Sequence, residues 1–197
     1  DGLVIPNIPN QYDRQRAIDE TPQSGSGRTI MTTEPKFVPN EAVTISMDEN
    51  ATMKVRLVDC VGYLVKSALG YLEDELPRMV HTPWLDHAIP FEEAAEMGTR
   101  KVIREHSTIG IVITTDGSFT NVPREEYEEA EEKVIAEIEA TNKPFIIILN
   151  SAFPDNPETR QMAERLSDKY GKPVISMDCL NMTIRDIHHA MKTILYE

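Results

Sequence analysis

From Phe91 onward the apolar positions follow two patterns in turn. Short continuous runs, Ile109-Gly110-Ile111-Val112-Ile113 and Phe145-Ile146-Ile147-Ile148-Leu149, are separated by longer segments in which apolar residues recur with a helical period. The runs predict strands over Thr108–Thr114 and Pro144–Asn150, with a shorter one over Pro173–Met177. The periodic segments predict helices over Phe91–His106, with Ala94, Ala95, Val102 and Ile103 on the buried face, and over Pro123–Thr141, with Val134, Ile135 and Ile138 inward. Two more follow, Pro157–Tyr170 closed by Gly171 and Thr183–Tyr196. Strands that are apolar throughout suit a parallel sheet covered on both faces, so the pattern predicts a three-layer α/β sandwich with a mostly parallel sheet.

Ahead of Phe91 the signals are weaker. Ala42–Met47 and Met53–Val58 flank the turn composition Asp48-Glu49-Asn50 and predict a hairpin. Residues Pro6–Pro39 read as loop apart from a short helical stretch around Tyr12–Ile18, and Gly62–Pro90, with Gly70, Pro77, Pro83 and Trp84, reads as irregular. No internal repeat competes with this organisation. One domain, residues 1–197, is expected, with 1–41 as a loop region and 42–197 as hairpin plus α/β core.

Composition narrows the function classes. A net charge of -13 argues against a nucleic-acid surface or a polybasic membrane anchor. Much of the acid lies in Glu125-Glu126-Tyr127-Glu128-Glu129-Ala130-Glu131-Glu132, which reads as a solvated helix start complementing the helix dipole. Cys60 and Cys179 have neither metal nor redox spacing and are expected as small core thiols in a reducing compartment. The sequence shows no transmembrane run and no signal peptide. The chain opens at Asp1 and runs into Leu3-Val4-Ile5-Pro6, which reads as the end of an element begun earlier, so a longer parent protein is expected.

Ligands of an open parallel sheet sit at the carboxyl ends of its strands. Four such ends carry polar residues: Asp59 with Gly62, Thr114-Thr115-Asp116-Gly117, Asn150-Ser151, and Ser176-Met177-Asp178. The first is the most specific. A strand ending in Asp-x-x-Gly is how P-loop nucleotidases hold Mg²⁺ through a carboxylate and approach a terminal phosphate with a glycine N–H. The same spacing is also ordinary turn chemistry.

Upstream, Thr32 and Thr33 place two hydroxyls in a loop before the hairpin, where such enzymes keep a phosphate-sensing switch; the alternative is a Thr-rich edge leading to Pro35. Gly25-Ser26-Gly27-Arg28-Thr29 mimics a phosphate loop but has Pro22 and Arg28 where Gly and Lys are required, and Gly171-Lys172 is followed by Pro173. The five histidines make no ligand spacing, and no serine or cysteine nucleophile signature is present.

Long stretches resemble the stage IV sporulation protein A family. They are Thr-Ile-Met-Thr-Thr-Glu-Pro-Lys-Phe-Val-Pro-Asn from Thr29, Arg-Leu-Val-Asp-Cys-Val-Gly from Arg56, Glu-Ala-Ala-Glu-Met-Gly-Thr-Arg-Lys-Val-Ile from Glu93, and His-Ser-Thr-Ile-Gly-Ile-Val-Ile-Thr-Thr-Asp-Gly from His106. The resemblance covers nearly the whole chain. It implies a P-loop NTPase fold related to the translation-factor GTPases, and an ATPase that assembles into the base layer of the bacterial spore coat. By resemblance, Asp59 takes the Walker B role on Mg²⁺, Thr32 and Thr33 sense the terminal phosphate, with Thr32 also at the metal, and Gly62 supplies a backbone N–H. Asn150 and Ser151 stand where GTPases begin Asn-Lys-x-Asp, but the chain continues Ala152-Phe153, without the guanine-reading Asp.

ATP and Mg²⁺ are the implied cofactors. The implied partners are further copies in a polymer, other spore-coat morphogenetic proteins and a small membrane-bound anchoring protein, on the mother-cell cytoplasmic side of the forespore surface. The family's first strand and phosphate loop precede the stretch with which this chain begins. That strand is expected between the strands ending at Asp59 and Thr114, and each buried backbone group it leaves unpaired costs about 1–3 kcal/mol. The 197 residues alone are therefore expected to show no measurable ATP hydrolysis. The competing expectation is a nucleotide-independent assembly module, with the Arg124–Thr141 helix and Tyr63–Pro90 as contact surfaces.

Overall fold

The computed structural model describes residues 8–11, 14, 36–47, 51–65, 67, 72–73 and 76–197. Thr32, Thr33, the Gly25–Thr29 stretch, the Asp48–Asn50 turn and most of the Tyr12–Ile18 helical candidate lie outside them.

The hairpin pairs β1 (Lys36–Ser46) with β2 (Thr52–Asp59) in antiparallel register, Lys36 opposite Asp59 and Ser46 opposite Thr52. β1 starts earlier than the periodicity predicts. The register breaks between Val38, opposite Leu57, and Val43, opposite Val55. Pro39 has no N–H to give the ladder, so the strand bulges there and resumes with Val43 and Ile45 buried. Its apolar face packs with Ile8 and with Met191 of the last helix.

Gly62–Pro90, expected to be irregular, contains two small antiparallel ribbons. They are β3 (Leu72–Glu73) with β4 (Leu76–Pro77), and β5 (Met79–Val80) with β6 (Ile89–Pro90). Helix α1 (Phe91–Lys101) follows directly and continues into a π-helical turn, Val102–His106, closed by Ser107 N–H donating to Val102 C=O at 3.0 Å. Lys143 Nζ caps this end, donating to the Ile103 and Arg104 carbonyls at 2.6 and 2.8 Å.

The remaining chain alternates as the pattern predicts: β7 (Gly110–Thr115), a 3-10 turn (Arg124–Glu126), α2 (Glu128–Glu139), β8 (Phe145–Asn150), α3 (Pro157–Tyr170), β9 (Val174–Met177) and α4 (Ile184–Leu195). α3 starts with Pro157 in its first turn and stops at Gly171, whose φ of 61° is left-handed. α4 is opened by a capping box in which Thr183 and Asp186 exchange side-chain and backbone bonds.

β7, β8 and β9 form a parallel sheet in that order, β8 in the centre. On one face Phe145 and Ile147 pack with Ile135 and Ile138 of α2, while Leu149 meets Ala163 and Leu166 of α3. On the other, Ile146 and Ile148 pack with Ala190 and Ile194 of α4. The alternation of β8's side chains thus feeds two cores, which is why all of Phe145–Leu149 is apolar.

The expectation that both apolar strands are covered on both faces fails at β7. Val112 and Thr114 are buried, but Ile111 and Ile113 keep 36% and 62% of their exposure. Among the described residues β7's other edge pairs with no strand, and the hairpin pairs only with itself. Between β2 and β7 lies a cleft of about 440 Å³.

Candidate functional site

Two strand ends meet at this cleft. Asp59 and Gly62 from the end of β2 line it together with Thr114 from β7 and Thr99 from α1. The Asp59 side chain is exposed, and as a hard oxygen donor it fits Mg²⁺, which takes one or two carboxylates and completes its shell with water and phosphate oxygens.

Gly62 has φ 82°, a conformation that penalises any residue with a Cβ, although the space around that Cβ position is open. The glycine is therefore demanded by backbone geometry. Its N–H donates to Thr99 Oγ1 at 3.0 Å, and the same hydroxyl donates to Gly62 C=O at 3.1 Å. Thr99 is almost completely buried, with 1% of its exposure left. Burial pushes the Cys60 thiol up, against hydrogen bonds with Thr99 and the Gly62 backbone that pull it down.

A second polar group spans the carboxyl ends of β7, β8 and β9. Asp116 accepts from Ser118 N–H at 2.9 Å and Ser118 Oγ at 2.5 Å, and Ser118 Oγ accepts from Ala152 N–H at 2.8 Å. Partial burial raises the Asp116 carboxyl, but the hydrogen bonds from Ser118 and Ser151 outweigh it and hold the group below the usual carboxylate range. Asn150 Oδ1 accepts from Cys179 N–H at 3.0 Å, and Ser176 Oγ donates to Pro154 C=O at 3.1 Å, so the loops after β8 and β9 are tied together. Asp178, its carboxyl held low by Asn181, closes its own loop by accepting from the Leu180 and Asn181 backbones.

Below this rim lies a buried charge pair. Glu131 retains 4% of its exposure and receives Arg124 at 2.6 Å, Thr114 Oγ1 at 2.6 Å and Tyr170 OH at 2.7 Å. The expectation of a solvated helix start holds for the neighbouring acids and fails at Glu131, which is buried. Glu131 stands four residues before Ile135 and three before Val134, on the inward face, and that helical spacing is the signal by which the sequence discloses it.

The structure thus brings Asp59, Gly62 and Thr114 to one cleft. Asn150 and Ser151 stand on the neighbouring rim and do not line it. Ser151 is fully buried, and its hydroxyl serves the Phe153 N–H at 3.0 Å and contacts Thr159 at 3.5 Å. Thr99 lies inside the Glu93–Ile103 stretch that resembles the family, but the resemblance assigns it no role; its place on the buried face of α1 is the signal that marks it. Among the described residues no group of three His, Cys, Asp or Glu side chains is arranged to hold a metal, and no helix is long and apolar enough to cross a membrane.

Comparison with known proteins adds a separate line. The family profile described as "Stage IV sporulation protein A, ATPase domain" matches residues 1–197. A stage IV sporulation protein A of Bacillus anthracis is 55% identical over 195 residues, 99% of this chain and 40% of that protein. Those of Bacillus subtilis (strain 168) and Clostridioides difficile (strain 630) are 53% and 50% identical with the same coverage. The chain spans about 40% of the length of the curated relatives it matches.

Proposed function

Because this chain belongs to the stage IV sporulation protein A ATPase-domain family, we propose that it is the ATP-hydrolysing part of a spore-coat scaffold, with its nucleotide at the carboxyl-end mouth of the cleft between β2 and β7, beside Asp59 and Gly62. The supporting observation is that Asp59 and Gly62, from one strand end, share this cleft with Thr114 from another. When bound, Mg²⁺ would neutralise charge that develops on the phosphates. Asp59 would hold the metal's water shell and Gly62 would offer its N–H to the terminal phosphate, while Thr32 and Thr33, outside the described residues, would sense that phosphate. Asn150 and Ser151 order the rim on the base side.

The exposed edge of β7, with Ile111 and Ile113 uncovered, suits a further strand lying between β2 and β7. In this reading the strand and the phosphate loop after it come from outside the 197 residues. The sheet is then completed as a P-loop NTPase sandwich, and hydrolysis drives self-assembly at the mother-cell face of the forespore. Other coat proteins and a small membrane-bound anchor are the expected partners. Leu72, Leu76 and Met79, exposed at 45%, 68% and 54% on the small ribbons, favour that region as an assembly contact.

The test is phosphate release from ATP by a chain carrying the full length of its relatives. Turnover is expected there with Mg²⁺, none from residues 1–197 alone, and none from the longer chain with Asp59→Ala although it still binds ATP. Undiminished turnover by Asp59→Ala would leave the cleft without its metal ligand and defeat the assignment.

A further inference from the structure

The Gly62 N–H that the proposed reading offers to a terminal phosphate is already engaged. It donates to Thr99 Oγ1 at 3.0 Å, and that hydroxyl returns a bond to Gly62 C=O at 3.1 Å. A backbone N–H carries one hydrogen. For it to meet a phosphate oxygen squarely, the bond to Thr99 has to lengthen or break. Thr99 is buried at 1% exposure on α1 and keeps its own donation to Gly62 C=O, so releasing the N–H leaves one acceptor site of the hydroxyl unfilled and loosens the tie between Gly62 and the helix.

The end of helix α1 departs from regular geometry. Three residues after Thr99 its hydrogen bonding changes to the π-helical pattern of Val102–His106, a geometry less stable than the α-helix. At the other side of the helix end, Lys101 Nζ lies 5.7 Å from the ring centre of Trp84, so a shift of α1 changes the surroundings of the one tryptophan in these residues.

We infer that Thr99 is a positioning residue that holds Gly62 when the terminal phosphate is absent and passes the arrival of that phosphate to helix α1. This rests on the reading of Gly62 as the terminal-phosphate contact. Thr99 touches neither nucleotide nor metal; it acts by competing for one N–H and by linking that N–H to a helix. The device distinguishes ATP from ADP because only ATP brings the competing oxygen.

The experiment uses the full-length chain with a non-hydrolysable ATP analogue and with ADP, each with Mg²⁺. In the wild type, the analogue is expected to change Trp84 fluorescence and ADP is not, with Trp84→Phe identifying the signal. Thr99→Val keeps the shape and removes the hydroxyl. It should tighten the analogue about threefold to tenfold, the worth of one neutral hydrogen bond, leave ADP unchanged, and erase the fluorescence difference. Thr99→Ser should restore wild-type behaviour. A merely structural threonine would weaken both nucleotides together.

Hydrogen exchange of the Gly62 amide in the wild type needs no variant. Its protection should differ between analogue and ADP. Identical exchange in both, or an unchanged fluorescence response in Thr99→Val, overturns the role of Thr99. Loss of the reading beneath it has a different signature: Gly62→Ala that still prefers the ATP analogue to ADP as strongly as wild type removes Gly62 from the phosphate, and the inference with it.

Discussion

Arg124 reaches Glu131 at 2.6 Å where the two side chains keep only 11% and 1% of their exposure, and Thr114 and Tyr170 share the same carboxylate. Two charges out of water are tolerated only as a pair. Glu131→Ala is therefore expected to cost about 3–5 kcal/mol, because it leaves Arg124 buried without its counter-charge. Replacing both by apolar residues of similar volume should recover most of that loss. Urea denaturation of the single and double variants measures this, and a loss below about 1 kcal/mol for the single variant would contradict the burial.

The phenol that donates to this carboxylate sets a pH dependence. Burial first, and then the hydrogen bond to Glu131, push the Tyr170 phenol from 10.0 up to about 12, with Lys169 pulling the other way. The folded state thus favours the protonated phenol. Its contribution to stability is fully present below the unfolded value of 10.0 and is lost as pH rises toward 12. Denaturation midpoints should fall across that window in the wild type and less steeply in Tyr170→Phe. Equal slopes in the two proteins would remove Tyr170 as the cause.

Gly110 sits where a Cβ would crowd the core. A Cβ there would land on Ile138 Cδ1 and sit 3.2 Å from Phe145 Cβ, both in the core between β7 and α2. Gly110→Ala is expected to destabilise by about 1–3 kcal/mol as an overpacked core. Ile138→Val, which removes the atom in the way, should rescue part of the loss. A double-mutant cycle reads the coupling, and strict additivity would show that the two residues do not meet.

The thiols should be slow. Burial, and then the neighbouring Asp178 charge, push Cys179 up to about 11, and burial raises Cys60 as well. Labelling by a disulfide reagent is expected to be far slower in the folded chain than in urea at pH 8, and to accelerate as pH rises toward 11. Equal rates folded and unfolded at pH 8 would place both thiols in water.

Much of this arrangement was legible in the residues. Five consecutive apolar positions at Phe145–Leu149 announce a strand buried on both faces, and Gly171 and Thr183 mark helix ends where left-handed and capping geometry are found. What escaped depends on contacts distant in sequence. Ile111 and Ile148 belong to equally apolar runs, yet only Ile148 has a helix against it, because burial is decided by which strand lies in the centre. Thr99 hydrogen-bonds a glycine 37 residues away, and a hydroxyl on a helix carries no mark of such a partner. Lys36 joins a strand on the far side of a proline bulge, where periodicity is lost but pairing resumes.

The bare edge of β7 has a consequence for handling the chain. Ile111 and Ile113 stand exposed on a six-residue strand whose outer edge pairs with no strand among the described residues, a template on which the same strand of another molecule can pair. The net charge of -13 opposes that encounter at low ionic strength. Salt shortens the reach of the repulsion and leaves the edge untouched, so turbidity of the isolated chain should grow with ionic strength.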